Sequence, residues 1–72
     1  MLAAGLDVTP VRWRRFECLL TQEQLAAAVF ASRQTIRSIE LGRSTPSVSL
    51  ALAIARVLES TVEELFSGAE LR

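Results

Sequence analysis

The chain has 72 residues, half of them hydrophobic, and eight Arg balance eight acidic residues to a formal charge of zero. That length holds one domain with a small core, the hydrophobic content excludes a disordered chain, and neutrality argues against a simple polybasic nucleic-acid binder. One cysteine and no histidine exclude an internal disulfide, an ordinary zinc site and a base to activate a nucleophile, so no catalytic residue, metal or cofactor is expected.

The apolar runs are too short to span a bilayer, and no basic segment precedes an apolar one at the start of the chain. Neither a membrane helix nor a signal peptide is therefore expected, and the expected location is cytoplasmic. Charge is unevenly spread: residues 1–45 carry six Arg and four acids, whereas residues 46–72 carry two Arg and four Glu.

Met1 to Val8 is small and apolar without a clear period, a loose tail or a segment packed on a partner. Thr9-Pro10 joins an N-cap to proline at the first helical position, so a helix starts there, with its end expected near Leu19. Val11, Arg15, Cys18 and Leu19 make one face of it, and Trp13, Phe16 and Leu20 a second. A helix buried on one side does not need both. Trp13 and Phe16 therefore read as core or as covered by the N-terminal tail, with a dimer contact as the alternative. Cys18 reads as a small core or boundary residue.

Thr21-Gln22-Glu23-Gln24 is a capping box opening a second helix. Leu25 and Val29 share a face, and Ala26, Ala27 and Ala28 leave room for a neighbouring helix to come close. Ser32 caps a third helix in which Ile36 and Ile39 fall on one side while Arg33, Gln34, Arg37 and Ser38 point elsewhere. Only Phe30 and Ala31 separate these two helices, so the connection is a sharp turn, and residues 22–41 read as a helix-turn-helix.

Leu41-Gly42 ends the third helix and Arg43 to Pro46 form a loop. Ser47 caps a fourth helix with a stripe of Leu50, Ile54, Val57 and Leu58 among Ala51, Ala53 and Ala55. Thr61-Val62-Glu63-Glu64 reads as another capping box, opening a short fifth helix anchored by Leu65 and Phe66 and stopped by Gly68.

The run LLTQEQLAAAVFASRQTIRSIELGRSTPS resembles the phage-repressor-like helix-turn-helix family, the Cro/C1 or xenobiotic-response-element type, and the resemblance extends from about Val11 to Phe66. It implies an all-α, five-helix bundle of the lambda-repressor-like DNA-binding type, one domain over residues 1–72 with a core at about 10–67. The implied function is sequence-specific binding of double-stranded DNA, most simply as a repressor on a palindromic operator, without a small-molecule ligand. The alternatives are a module of a larger regulator or antitoxin, or a protein-interaction module using the same fold.

Carried over residue by residue, the resemblance makes Arg33, Gln34, Arg37 and Ser38 the base-reading residues. Gln suits the adenine edge and Arg the guanine edge in the major groove. Gln22 and Arg43 match backbone phosphate contacts, and Ser32 and Thr35, which flank the base-reading residues, join them as DNA-backbone residues. Arg15 and Glu40 match a buried structural ion pair, which removes Glu40 from the DNA contacts. A homodimer is expected from the small core and the spare apolar surface, with Leu65 and Phe66 as the first candidate contact, Trp13 and Phe16 as the second, and Leu71 beside them.

Three positions where the family often has glycine read Leu19, Phe30 and Glu59. If the backbone there is left-handed, each costs on the order of 1–2 kcal/mol. The turn is expected to survive, with the Phe30 ring used as packing. Arg14 stands where the family usually has leucine, and Trp13 and Phe16 are expected to supply the missing apolar contact.

Overall fold

A computed structural model describes residues 9–66 as five α-helices: α1 Pro10–Glu17, α2 Gln22–Ala28, α3 Arg33–Glu40, α4 Val48–Val57 and α5 Val62–Phe66. There is no strand among the described residues, and no helix among them is long and apolar enough to cross a membrane. The expectations for Met1 to Val8, Gly68 and Leu71 fall outside the described residues.

Each helix starts where a short polar side chain can satisfy backbone donors that have no partner within the helix. Thr9 accepts from the Arg12 N–H, Ser32 from Thr35 and Ser47 from Leu50. At Thr21 the box closes in both directions, Gln24 N–H to Thr21 Oγ1 at 3.0 Å and Thr21 N–H to Gln24 Oε1 at 2.8 Å. The box expected at Thr61 is half made. Thr61 accepts from the Glu64 N–H, but the Glu64 carboxylate takes the Ser60 hydroxyl at 2.9 Å.

α1 to α4 also end alike. In each, two successive N–H groups beyond the last turn reach back to carbonyls three and five positions earlier, as in Leu19 to Phe16 with Leu20 to Arg15, and Gly42 to Ile39 with Arg43 to Ser38. This double bond pattern needs a left-handed residue just past the helix. Gly42 supplies it after α3 at φ 73°, but Leu19, Phe30 and Glu59 supply it elsewhere, at φ 59°, 59° and 53°. α1 therefore stops two residues before Leu19, which is the pivot out of the helix rather than part of it.

That geometry overturns two packing expectations. A left-handed side chain projects outward from the helix end, so Leu19 is 89% exposed and Phe30 97% exposed. The Phe30 ring does not pack into the core of the described residues, and Leu19 does not share the buried face of Val11 and Arg15.

Arg14 is a third correction. Trp13 and Phe16 are both exposed and do not replace the absent leucine. Arg14 itself bridges to the end of α4, donating from Nε to the Leu58 carbonyl at 2.8 Å and from Nη2 to the Glu59 carbonyl at 3.3 Å. These are carbonyls at the negative end of a helix, where a cation is favoured.

The core gathers Val11, Leu25, Ala26, Val29, Ile36, Ile39, Ile54, Ala55, Leu58 and Leu65, with Ala51 also buried. Ala26, Ala51 and Ala55 keep neighbouring backbones close. Ile36, Ile54 and Leu58 are wholly covered, each contributing about 1.5–3 kcal/mol of burial. α2 packs on α3, α1 on α5 and α3, and α4 on α5 and α2, so α3 is backed by two helices and keeps one side open.

Candidate nucleic-acid interface

α3 divides cleanly around its circumference. Ile36, Ile39 and Glu40 are buried, Thr35 and Ser38 are half-buried, and Arg33, Gln34 and Arg37 are exposed. The alternation follows from spacings of three and four on one helix. Arg33, Gln34, Arg37 and Ser38 line one shallow concave surface together with Arg43 and Leu41. Leu41, expected only to end the helix, is an added apolar member of that surface.

Arg43 reaches this face because the chain reverses at Gly42 and the Arg43 N–H is tied back to the Ser38 carbonyl at 2.9 Å. Among the described residues Arg33, Arg37 and Arg43 make no ion pair. A chain with no net charge thus presents three guanidiniums without counter-charges on one side of one helix. That local field, not the total charge, is what a polyanion meets.

Ser32 and Thr35 are less available than their positions suggest. Ser32 Oγ is engaged as the cap acceptor for Thr35 N–H, and the two hydroxyls share a hydrogen bond at 2.8 Å. Their firm role is to fix where α3 begins and hence where Arg33 and Gln34 point.

Behind α3 lies a polar network. Arg15 and Glu40 are 6% and 1% exposed, and they meet through Nε to Oε2 at 2.5 Å and Nη2 to Oε1 at 3.0 Å. The third arm of Arg15, Nη1, donates to the Leu20 carbonyl at 2.8 Å, and the Thr9 hydroxyl donates to the backbone carbonyl of Glu40 at 2.8 Å. Gln22 Nε2 donates to Glu40 Oε1 at 3.1 Å. The carboxylate therefore anchors helices α1, α2 and α3 together and orients Gln22 at the head of α2. The Gln22 to Glu40 link has no local signal in the sequence, since its partners lie eighteen positions apart.

Of the apolar residues considered for a dimer contact, Leu65 is turned into its own core, Phe66 is half-buried, and Trp13 and Phe16 are exposed on α1.

The helix-turn-helix family profile matches residues 11–65. An HTH-type transcriptional regulator of Methanothermobacter thermautotrophicus is 48% identical over 59 residues, covering 81% of this chain and 86% of the relative. One from Archaeoglobus fulgidus is 43% identical over 58 residues, covering 81% and 83%. Among solved structures, the restriction-modification controller protein C.AhdI of Aeromonas hydrophila superimposes with a TM-score of 0.73 at 30% identity, over 79% of this chain and 86% of that one. With the described helices, the divided face of α3 and these likenesses together, the chain belongs to the helix-turn-helix family of Cro/C1 type, whose members are DNA-binding transcriptional regulators and in general not enzymes.

Proposed function

We propose that the protein is a sequence-specific repressor that binds a palindromic operator as a homodimer, with α3 in the major groove. The observation that carries this reading is the grouping of Arg33, Gln34, Arg37 and Ser38 with Arg43 on one open face, three of them unpaired cations, while Ile36, Ile39 and Glu40 fix the opposite side. Arg33 and Gln34 sit at the first positions of the helix, whose N-terminal residues contact base edges in this docking mode. Gln34 has the paired donor and acceptor that match adenine N6 and N7, and Arg33 and Arg37 the fork that matches guanine O6 and N7. Gln22 and Arg43, on either side of α3, hold the backbone. Occluding a promoter is the simplest mechanism for a domain that binds an operator in this way.

Two substitutions separate base reading from backbone holding. Gln34→Ala is expected to weaken binding by about 1–3 kcal/mol on an operator selected from random duplexes, and much less on unrelated DNA. Arg43→Ala is expected to weaken both alike and to lower the magnitude of the salt slope by roughly one. If Gln34→Ala weakens all sequences equally, α3 is not the base reader.

The dimer is supported by the exposed Trp13 of α1 and by the dimensions of the protomer. At 33 × 26 × 21 Å the protomer is small enough for two copies to lie side by side on one face of a duplex, where the recognition helices of such a dimer are expected roughly 34 Å apart, one turn of B-DNA. Sedimentation at micromolar concentration is expected to give a dimer. A monomer that persists on the selected operator would overturn that part of the reading.

A further inference from the structure

We propose that Arg12 is a further phosphate-contacting residue, held in place by the ring of Phe16 and seizing the DNA backbone beside Gln22. The inference rests on α3 being the groove-entering helix. Arg12 and Arg15 both lie over the Phe16 ring, with guanidinium carbons 5.4 and 4.7 Å from its centre. The two cations have different fates. Arg15 is spent, its three donor groups engaged by Glu40 and the Leu20 carbonyl. Arg12 has no carboxylate partner among the described residues, and its Nε–H is covered without an acceptor.

A covered, unsatisfied donor is costly, commonly about 1–3 kcal/mol. An arginine with nothing to do would turn that group to water. Here the ring attraction holds the side chain over Phe16, a contact that a cation makes best when partly desolvated. The guanidinium lies on a cleft that it shares with Phe16, Thr21, Gln22, Glu23 and Arg33. One wall of that cleft is therefore the assigned phosphate residue Gln22, and another the first residue of the recognition helix. With Arg15 and Glu40 cancelling, the cleft holds two unpaired cations, Arg12 and Arg33, against the single rim carboxylate of Glu23. The terminal amino groups of Arg12 are neither covered nor hydrogen-bonded among the described residues, so they are the donors that a backbone phosphate passing this edge meets when α3 enters the groove.

The test is a salt titration of binding to a labelled duplex of mixed sequence, where no base reading intervenes. Arg12→Ala and Arg12→Gln, the second keeping the stem over the ring, are each expected to lower the magnitude of the log–log salt slope by roughly one. Arg12→Lys is expected to keep the slope, and Phe16→Leu to weaken binding with the slope retained. A thermal melt checks that each variant is folded. An unchanged slope in folded Arg12→Gln overturns the proposal and leaves Arg12 a structural cation on an aromatic ring. Gln34→Ala on the selected operator separates the two levels. If it loses discrimination while Arg12→Gln keeps its slope, only the role of Arg12 falls, whereas if Gln34→Ala also changes nothing, the placement of α3 falls first.

Discussion

Replacing Glu40 with alanine is expected to remove about 3–5 kcal/mol of stability, because it strands the Arg15 guanidinium in the core. The figure follows from burial rather than from the pairing alone: an exposed ion pair contributes about 1 kcal/mol or less, but Glu40 is 1% exposed and Arg15 6%. With the carboxylate gone, Arg15 keeps only Leu20 O among its hydrogen-bond acceptors, and Gln22 loses the oxygen that orients it. A small domain has about 5–15 kcal/mol in total, so the variant is expected to be largely unfolded in mild urea. Chemical denaturation at fixed protein concentration measures this, and a loss below about 1 kcal/mol would refute a buried role. The joint variant Arg15→Met with Glu40→Leu is the control. Replacing both charges by apolar groups is often neutral or stabilising, so its recovery would attribute the single loss to the stranded cation.

The same network has a functional side. Gln22 reaches Glu40 at 3.1 Å, and Thr9 closes onto the Glu40 backbone carbonyl. The residue that fixes the far end of α3 therefore also sets the amide proposed to meet a phosphate. The joint variant is accordingly expected to fold and yet bind DNA more weakly, since Gln22 then has no acceptor to hold it.

What could be read in the chain was what depends on neighbours three or four positions away. Thr9, Thr21, Ser32 and Ser47 each cap the helix that follows through a bond to the third residue on, so all four starts were legible. The face of α3 was legible for the same reason. Contacts between distant residues are legible only where the family resemblance supplies them, as for the buried Arg15–Glu40 pair; Arg14 meets the end of α4 forty-four positions away, and nothing near it in the chain distinguishes a helix-capping arginine from a solvated one. Leu19 and Phe30 misled in another way. Their hydrophobicity points to packing, whereas the backbone they occupy turns any side chain outward, a property set by hydrogen bonding at the helix end and not by the residue's own preference. The end of α1 falls two residues before Leu19 with no mark in the sequence, because the usual marker, glycine, is absent there.

That absence makes the three helix ends the place where this protein is expected to gain stability. Leu19, Phe30 and Glu59 sit at φ 59°, 59° and 53°, a conformation costing a side-chain-bearing residue on the order of 1–2 kcal/mol. Glycine removes that cost but adds about 0.4–1 kcal/mol of unfolded-state entropy to be lost on folding. The net gain is then roughly 0.5–1 kcal/mol at each site. All three side chains are exposed, so no core packing is surrendered, and Arg14 holds Glu59 only through its backbone carbonyl. The sites terminate different helices and should act nearly independently. The triple variant Leu19→Gly, Phe30→Gly, Glu59→Gly is expected to be about 2 kcal/mol more stable, raising the melting temperature by roughly 8–16 °C for a domain of this size. Gly42 supplies the converse measurement. At φ 73° a Cβ added there meets nothing within 4 Å, so Gly42→Ala isolates the backbone term and is expected to destabilise by about 1 kcal/mol. Opposite signs at the same kind of helix end, measured by thermal melting at one protein concentration, would establish left-handed strain as the cause. If the triple variant melts below the parent, the entropy of three added glycines or packing by Leu19 and Phe30 outweighs the relieved strain, and the strain account falls.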